Sequence, residues 1–82
     1  MTHDLKTWPE FFQPLLSGEK PFELRKDDRG FRAGDTLLLK EWTQRGGYTG
    51  REVTAMVTYV LSGFGLKDGW VVMATKSIGV KL

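Results

Sequence analysis

The sequence contains no cysteine and only one histidine among its 82 residues. Without thiolates, neither a disulfide framework nor a cysteine-ligated metal site can form. One histidine is too few for a typical zinc site, so we expect no metal and no cofactor. No apolar run is long enough to span a bilayer, so we expect no membrane partner. The lack of disulfides suits a reducing compartment and the first residues show no secretion signal, so we expect a cytoplasmic protein.

A large excess of positive charge is also lacking, because 12 Lys and Arg residues face 10 Asp and Glu residues and the net charge is +2. A protein that coats nucleic acid non-specifically is usually more basic, so an anion site here requires local clustering. Residues 20–32 provide such a cluster. It interleaves cations with carboxylates: Lys20, Arg25, Lys26, Arg29 and Arg32 with Glu23, Asp27 and Asp28. A run of this kind is often only a solvated loop.

The apolar pattern of residues 8–18 predicts one helix. Trp8-Pro9 suits its start and Gly18 suits its end, while Pro14 predicts a kink or a division into two pieces. Four apolar residues recur at helical spacing and are expected to face the core: Phe11, Phe12, Leu15 and Leu16.

The rest of the chain has the alternation and glycine punctuation of strands. Strands are predicted at 21–25, 36–42, 51–61, 69–74 and 77–81. In the first of them, Phe22 and Leu24 are expected to fill the core, with Glu23 and Arg25 on the opposite face. Open edges in a small sheet favour aggregation, so closure is expected. The predicted fold is α+β but mostly β: a small barrel of five or six strands with one N-terminal helix, forming a single domain over residues 1–82.

Residues 18–25 read G-x-K-x-x-E-x-R, which places a lysine at the helix-to-strand corner. Glu23 and Arg25 follow on one strand face. Arginine grips phosphate with two donors and lysine adds a point charge, while a carboxylate can hold the arginine in place or accept from a base or a ribose. Asp28 and Arg29 are placed to close the rim.

This motif resembles the ASCH motif of the PUA-like superfamily. Three flanking segments resemble its small subfamily DUF3850: His3-x-Leu5-Lys6-x-Trp8-Pro9, Asp28-Arg29-Gly30-Phe31-x-x-Gly34-Asp35 and Tyr48-Thr49-Gly50-Arg51. The resemblance covers nearly the whole chain. It implies a PUA-like β-barrel with a helix beside a cleft and a role in RNA binding. It also implies that Lys20, Glu23 and Arg25 line the cleft, with His3 and Lys6 near it if the N-terminal segment pairs beside residues 21–25.

The first functional hypothesis is therefore an RNA- or nucleotide-binding module. Cationic side chains would hold phosphate and carboxylates would orient them: Lys20, Arg25 and Arg29 with Glu23 and Asp28. An aromatic side chain would stack a base. For that role we favour Trp42 and Tyr48, which flank a glycine-rich loop, over Trp8 and Trp70.

Two alternatives come from other classes. Some ASCH proteins hydrolyse an acetylated cytidine with a lysine matched here by Lys20, so a hydrolase or nuclease with Lys20 and Glu23 as catalytic residues is one. Those proteins have a threonine where this chain has Glu23, and only Asp68 stands near the place of their later glutamate. The other is an accessory factor that docks a protein partner. A surface ion pair between Glu23 and Arg25, with an ordinary solvated Lys20, is the plain structural interpretation.

Overall fold

A computed structural model describes all residues, 1–82. It contains one helix and five strands. The elements are β1 Thr2–Thr7, α1 Pro9–Ser17, β2 Phe22–Lys26, β3 Thr36–Thr43, β4 Gly47–Ser62 and β5 Trp70–Lys81. The strands form one sheet in the order β1-β3-β4-β5-β2, with β1 parallel to β3 and every other pair antiparallel. The mostly-β class is confirmed, with five strands in a half-barrel whose edge strands are β1 and β2. No helix has the length and apolar character needed to cross a membrane.

Helix α1 begins and ends where the sequence predicts, but Pro14 does not divide it. Gly18 ends the helix with a left-handed φ of 81°, and its N–H donates to the Leu15 carbonyl at 3.4 Å. A glycine adopts this conformation without steric penalty. Phe12 and Leu15 are buried as expected, whereas Phe11 is 48% exposed. The buried stripe of the helix is therefore narrower than the apolar pattern suggests.

Strand β2 faces the opposite way from the prediction. Phe22 and Leu24 are exposed, whereas Glu23 is only 2% exposed. The register explains the inversion, because Glu23 lies opposite Met73 and directly opposed residues share a sheet face. Met73 is a core residue, so its partner Glu23 also points inward. The expectation that Phe22 and Leu24 fill the core is wrong.

The core is instead completed from outside the sheet. Phe12 and Leu15 from α1 and Phe31 from the loop after β2 join the strand residues in one buried cluster. Strand β4 contributes Val53, Ala55 and Val57, as its alternation predicts. A bulge between Val57 and Tyr59 breaks this alternation, so Tyr59 is exposed. The two strands predicted at 69–74 and 77–81 are one continuous strand, β5.

Candidate functional site

The half-barrel opens between β1 and β2, and this opening is a cleft of about 740 Å³. Two arginine side chains bridge it. Arg25 Nη2 donates to the Lys6 carbonyl at 2.9 Å, and Arg29 Nη1 donates to the Asp4 carbonyl at 2.7 Å. Both carbonyls belong to β1, whose only strand partner is β3. The cleft therefore lies between two edge strands that do not pair with each other and are connected by arginine side chains.

One wall of the cleft is built around the buried carboxylate of Glu23. Its Oε1 accepts from Lys20 Nζ at 2.8 Å and its Oε2 accepts from Arg25 Nε at 3.1 Å. Lys20 Nζ also donates to the Phe22 carbonyl at 3.1 Å. The structure thus brings the three motif residues Lys20, Glu23 and Arg25 together at one place, and all three line the cleft.

Both cations retain donors that no protein group uses. An ammonium group has three N–H donors, and Lys20 directs two of them to Glu23 and Phe22. A guanidinium has five, and the contacts of Arg25 are made through Nε and Nη2, which leaves its Nη1 group without a protein acceptor. The wall therefore offers fixed, partly neutralised donors to a ligand with acceptor oxygens.

The rim adds positive charge. The cleft lining contains five cationic and two carboxylate side chains, so its net charge exceeds the +2 of the whole chain: Lys6, Lys20, Arg25, Lys26 and Arg29 against Glu23 and Asp28. Arg29 Nε lies 3.8 Å from Asp28 Oδ1, a loose exposed pair. Concentrating one sign of charge in a cleft raises the local concentration of anionic ligands.

The aromatic residues at the cleft are not the ones that sequence favoured. Trp8 and Trp70 line it together with Phe11, Phe22 and Phe31. Trp42 and Tyr48 face each other across the β3–β4 hairpin and do not line it. Trp42 instead contacts two residues that do line the cleft: its ring is edge-on to that of Trp8, with centroids 5.3 Å apart, and Lys6 Nζ lies 4.7 Å from its centroid.

A comparison with known families identifies the chain. Residues 2–75 match the model of a family described as a domain of unknown function, DUF3850. The chain belongs to the DUF3850 family. A similar protein is the "Uncharacterized 12.9 kDa protein in GpA 3'region" of Escherichia phage P2, 47% identical over 58 residues that cover 71% of this chain and 52% of that protein. The chain therefore spans about half the length of this curated relative.

In this DUF3850 protein, His3 lies outside the cleft. Strand β1 pairs with β3 rather than beside β2, which places His3 opposite Leu37. The imidazole is buried, with Nε2 2.9 Å from Asp35 Oδ2 and its ring edge-on to Phe31. Lys6 lines the cleft although β1 does not pair beside β2, so the structure separates the two N-terminal candidates.

Asp35 is the centre of this second buried cluster. Besides His3, it accepts from the Met1 amine at 3.1 Å and from the Arg32 N–H at 3.0 Å. The hydrogen bond from His3, then those from the N-terminal amine and the Arg32 backbone, lower the pKa of Asp35 from 3.8 to about 2. These groups tie β1 to the turn that precedes β3.

We expect acid to destabilise the protein through Asp35. Because its folded-state pKa of about 2 lies below the ordinary 3.8, the stabilisation is complete above that ordinary value and is lost as the pH falls through the folded-state value. Urea unfolding followed by tryptophan fluorescence should show wild type more stable than Asp35→Asn at about pH 6, and this difference should shrink towards about pH 2. A difference that stays constant over that range contradicts the assignment.

A third ionic cluster, formed by Glu41 and Arg51, was not predicted from the sequence. Arg51 Nε and Nη2 each donate to one oxygen of Glu41 at 2.8 Å, and Thr49 Oγ1 donates to Glu41 Oε1 at 2.8 Å. The hydrogen bond from Arg51 lowers the pKa of Glu41, and the same contact raises that of Arg51. A usable signal was present, because Glu41 follows Leu37 and Leu39 with period two and so shares their inward face.

Proposed function

We propose that this DUF3850 chain is an ASCH-type, PUA-like domain over residues 1–82 that binds RNA or a nucleotide in the cleft between β1 and β2. The observation that supports it is the pairing of net positive charge with exposed aromatic rings in a single concave site. Neither feature alone indicates nucleic acid, but single-stranded nucleic acids offer a backbone anion and a stacking base side by side. Such a ligand would be met in the cytoplasm.

Phosphate would be held mainly by the braced pair of cations. Glu23 fixes Lys20 and Arg25 while leaving part of their donor capacity open. Donors fixed in advance lose little side-chain entropy on binding, so they discriminate geometry as well as charge. Lys26 and Arg29 at the rim would attract the anion before it docks.

The base would stack on the aromatic wall. Trp8 is 43% exposed and Phe22 is 43% exposed, so both present ring surface to the cleft. Stacking on such rings contributes about 1–3 kcal/mol per base and tolerates any base. A cleft of 740 Å³ has the size of small-ligand sites, which fits one or two nucleotides rather than a duplex.

We expect removal of a cleft cation to weaken RNA binding about tenfold, because one charge-assisted contact to phosphate is lost. Affinity for a labelled single-stranded RNA of about six nucleotides should be measured by fluorescence anisotropy over a range of salt. Lys20→Ala tests the motif directly, and Lys26→Ala tests the rim without disturbing Glu23. Each should also reduce the slope of log affinity against log salt by about 0.7.

The matched control is Lys76→Ala, which removes the same charge from an exposed position of β5 outside the cleft. If Lys26→Ala and Lys76→Ala lose the same RNA affinity, the loss reflects the net charge of the protein rather than a contact in the cleft. Absence of saturable, salt-sensitive binding to RNA and to nucleotides would end the proposal. Hydrolysis of acylated nucleosides that depends on Lys20 and Glu23 would favour the hydrolase instead, and protein capture insensitive to Lys20 and Arg25 would favour the accessory factor.

A further inference from the structure

The turn between β4 and β5 presents a phenylalanine to solvent. Phe64 is 94% exposed, the largest exposed fraction of any large hydrophobic side chain in the protein. Residues 63–65 all have positive φ, with 51° at Phe64 between 72° and 92° at its glycine neighbours. The Leu66 N–H closes the turn by donating to the Gly63 carbonyl at 3.0 Å. The ring is therefore directed outward by a defined backbone turn.

Nothing in the fold accounts for a phenylalanine at this position. It belongs neither to the core cluster nor to the hydrophobic residues packed against it. Glycine, asparagine or aspartate would adopt a positive φ with less strain, whereas a bulky side chain there is an outlier. Strain and exposure together, at a loop tip held by a sheet, are typical of a residue that contacts a ligand.

The turn adjoins the cleft. Trp70 lines the cleft and also a second hollow of about 320 Å³, whose lining includes Gly63, Leu66 and Lys67. The Asp27 N–H donates to the Gly69 carbonyl at 2.7 Å, which fastens the end of β2 to the loop before β5. Trp70 is therefore shared by the two hollows, and the second hollow extends to Gly63, the residue before Phe64.

We propose that Phe64 is a second base-stacking position, for a nucleotide of single-stranded RNA that has left the cleft past Trp70. This inference rests on the proposed function and narrows its ligand to an oligonucleotide that occupies more than the cleft. Lys67 supplies a cation beside the connecting path, where a phosphate would pass. Asp27 and Asp68 also line the hollow, so its lining has two carboxylates and one cation, and Asp27 already accepts from the Phe31 N–H. In this proposal the carboxylates accept from base or ribose donors, and Lys67 alone meets the phosphate.

The test compares a short and a long ligand on the same variants. Phe64→Ala should leave the affinity for a nucleoside monophosphate unchanged and weaken that for an RNA of about six nucleotides by between about fivefold and a hundredfold. Phe64→Trp should bind the oligonucleotide at least as tightly as wild type does, unlike Phe64→Ala, because the larger ring also stacks. Oligonucleotides carrying 2-aminopurine at successive positions should show one position whose fluorescence is quenched by wild type and not by Phe64→Ala.

The control is Ile78→Ala, which removes an exposed apolar side chain of β5 that lines neither hollow. If wild type binds both ligands and Phe64→Ala binds the oligonucleotide equally well, the stacking position is wrong while the cleft proposal stands. If wild type binds neither ligand, both proposals are wrong. If Phe64→Ala changes only self-association in sedimentation, the residue serves contact between copies and the inference is overturned.

Discussion

Replacing Glu23 with glutamine should lower the free energy of unfolding by about 3 kcal/mol. The carboxylate is 2% exposed and is shared between two cations at 2.8 and 3.1 Å. A neutral amide of the same shape has one acceptor oxygen and turns its NH₂ group towards one of the two cations. Both Lys20 and Arg25 then lose their anionic partner in a partly buried place, and one of them also faces the NH₂ group. This costs more than the pairs themselves contribute.

Urea denaturation of wild type and Glu23→Gln measures this difference directly. Asp28→Asn is the matched control, because Asp28 lines the same cleft but is exposed and pairs with Arg29 only at 3.8 Å. Its effect should stay within about 0.5 kcal/mol. If Glu23→Gln behaves like Asp28→Asn, the carboxylate is solvated and does not brace the cleft wall.

This structural role changes what the motif means. A loss of RNA binding in a Glu23 variant would follow from a disordered wall as readily as from a lost ligand contact. Lys26 therefore provides the cleaner measurement of binding, because its side chain makes no hydrogen bond or ion pair with Glu23 or Arg25. The two kinds of substitution separate the scaffold of the cleft from its contact surface.

Local signals in the sequence were sufficient for much of the fold. Trp8-Pro9 and Gly18 marked the ends of α1, and the alternation in β4 placed Val53, Ala55 and Val57 in the core. The motif also predicts that Lys20, Glu23 and Arg25 lie together, because these residues are separated by only one corner and one short stretch of strand. In each case the interaction that decides the outcome lies within a few residues of sequence.

The errors occurred where distant pairing decides. The facing of β2 depends on its register with β5, which puts Glu23 opposite Met73, and no pattern within residues 21–25 shows that. The expectation that His3 lies near the cleft requires β1 to pair beside β2, whereas β1 pairs with β3. The preference for Trp42 over Trp8 rests on the neighbouring glycine-rich loop, whereas the curl of the sheet decides which rings face the opening.

Replacing Arg51 with methionine should lower the midpoint of thermal unfolding by about 10 °C. Methionine is an unbranched apolar side chain that removes both donors to Glu41, which is 4% exposed, together with the guanidinium whose Cζ lies 5.0 Å from the Phe12 ring centroid. The carboxylate would then keep only the Thr49 hydroxyl as a partner. A buried anion without its cation is strongly destabilising, because the surrounding protein solvates it poorly.

Two comparisons show whether the stranded carboxylate is the cause. Adding Glu41→Gln to Arg51→Met should recover part of the lost stability, because the uncompensated charge is gone. The stability of Arg51→Lys should fall between those of wild type and Arg51→Met, because lysine keeps the charge without the two-point contact. The pH dependence of the stability difference between wild type and Arg51→Met is an independent test. The pKa of Glu41 is lowered from 4.5 by Arg51, so the advantage of wild type over Arg51→Met should be complete above that value and should diminish in more acidic solution. If the double variant is no more stable than Arg51→Met, the loss comes from packing against Phe12 rather than from charge.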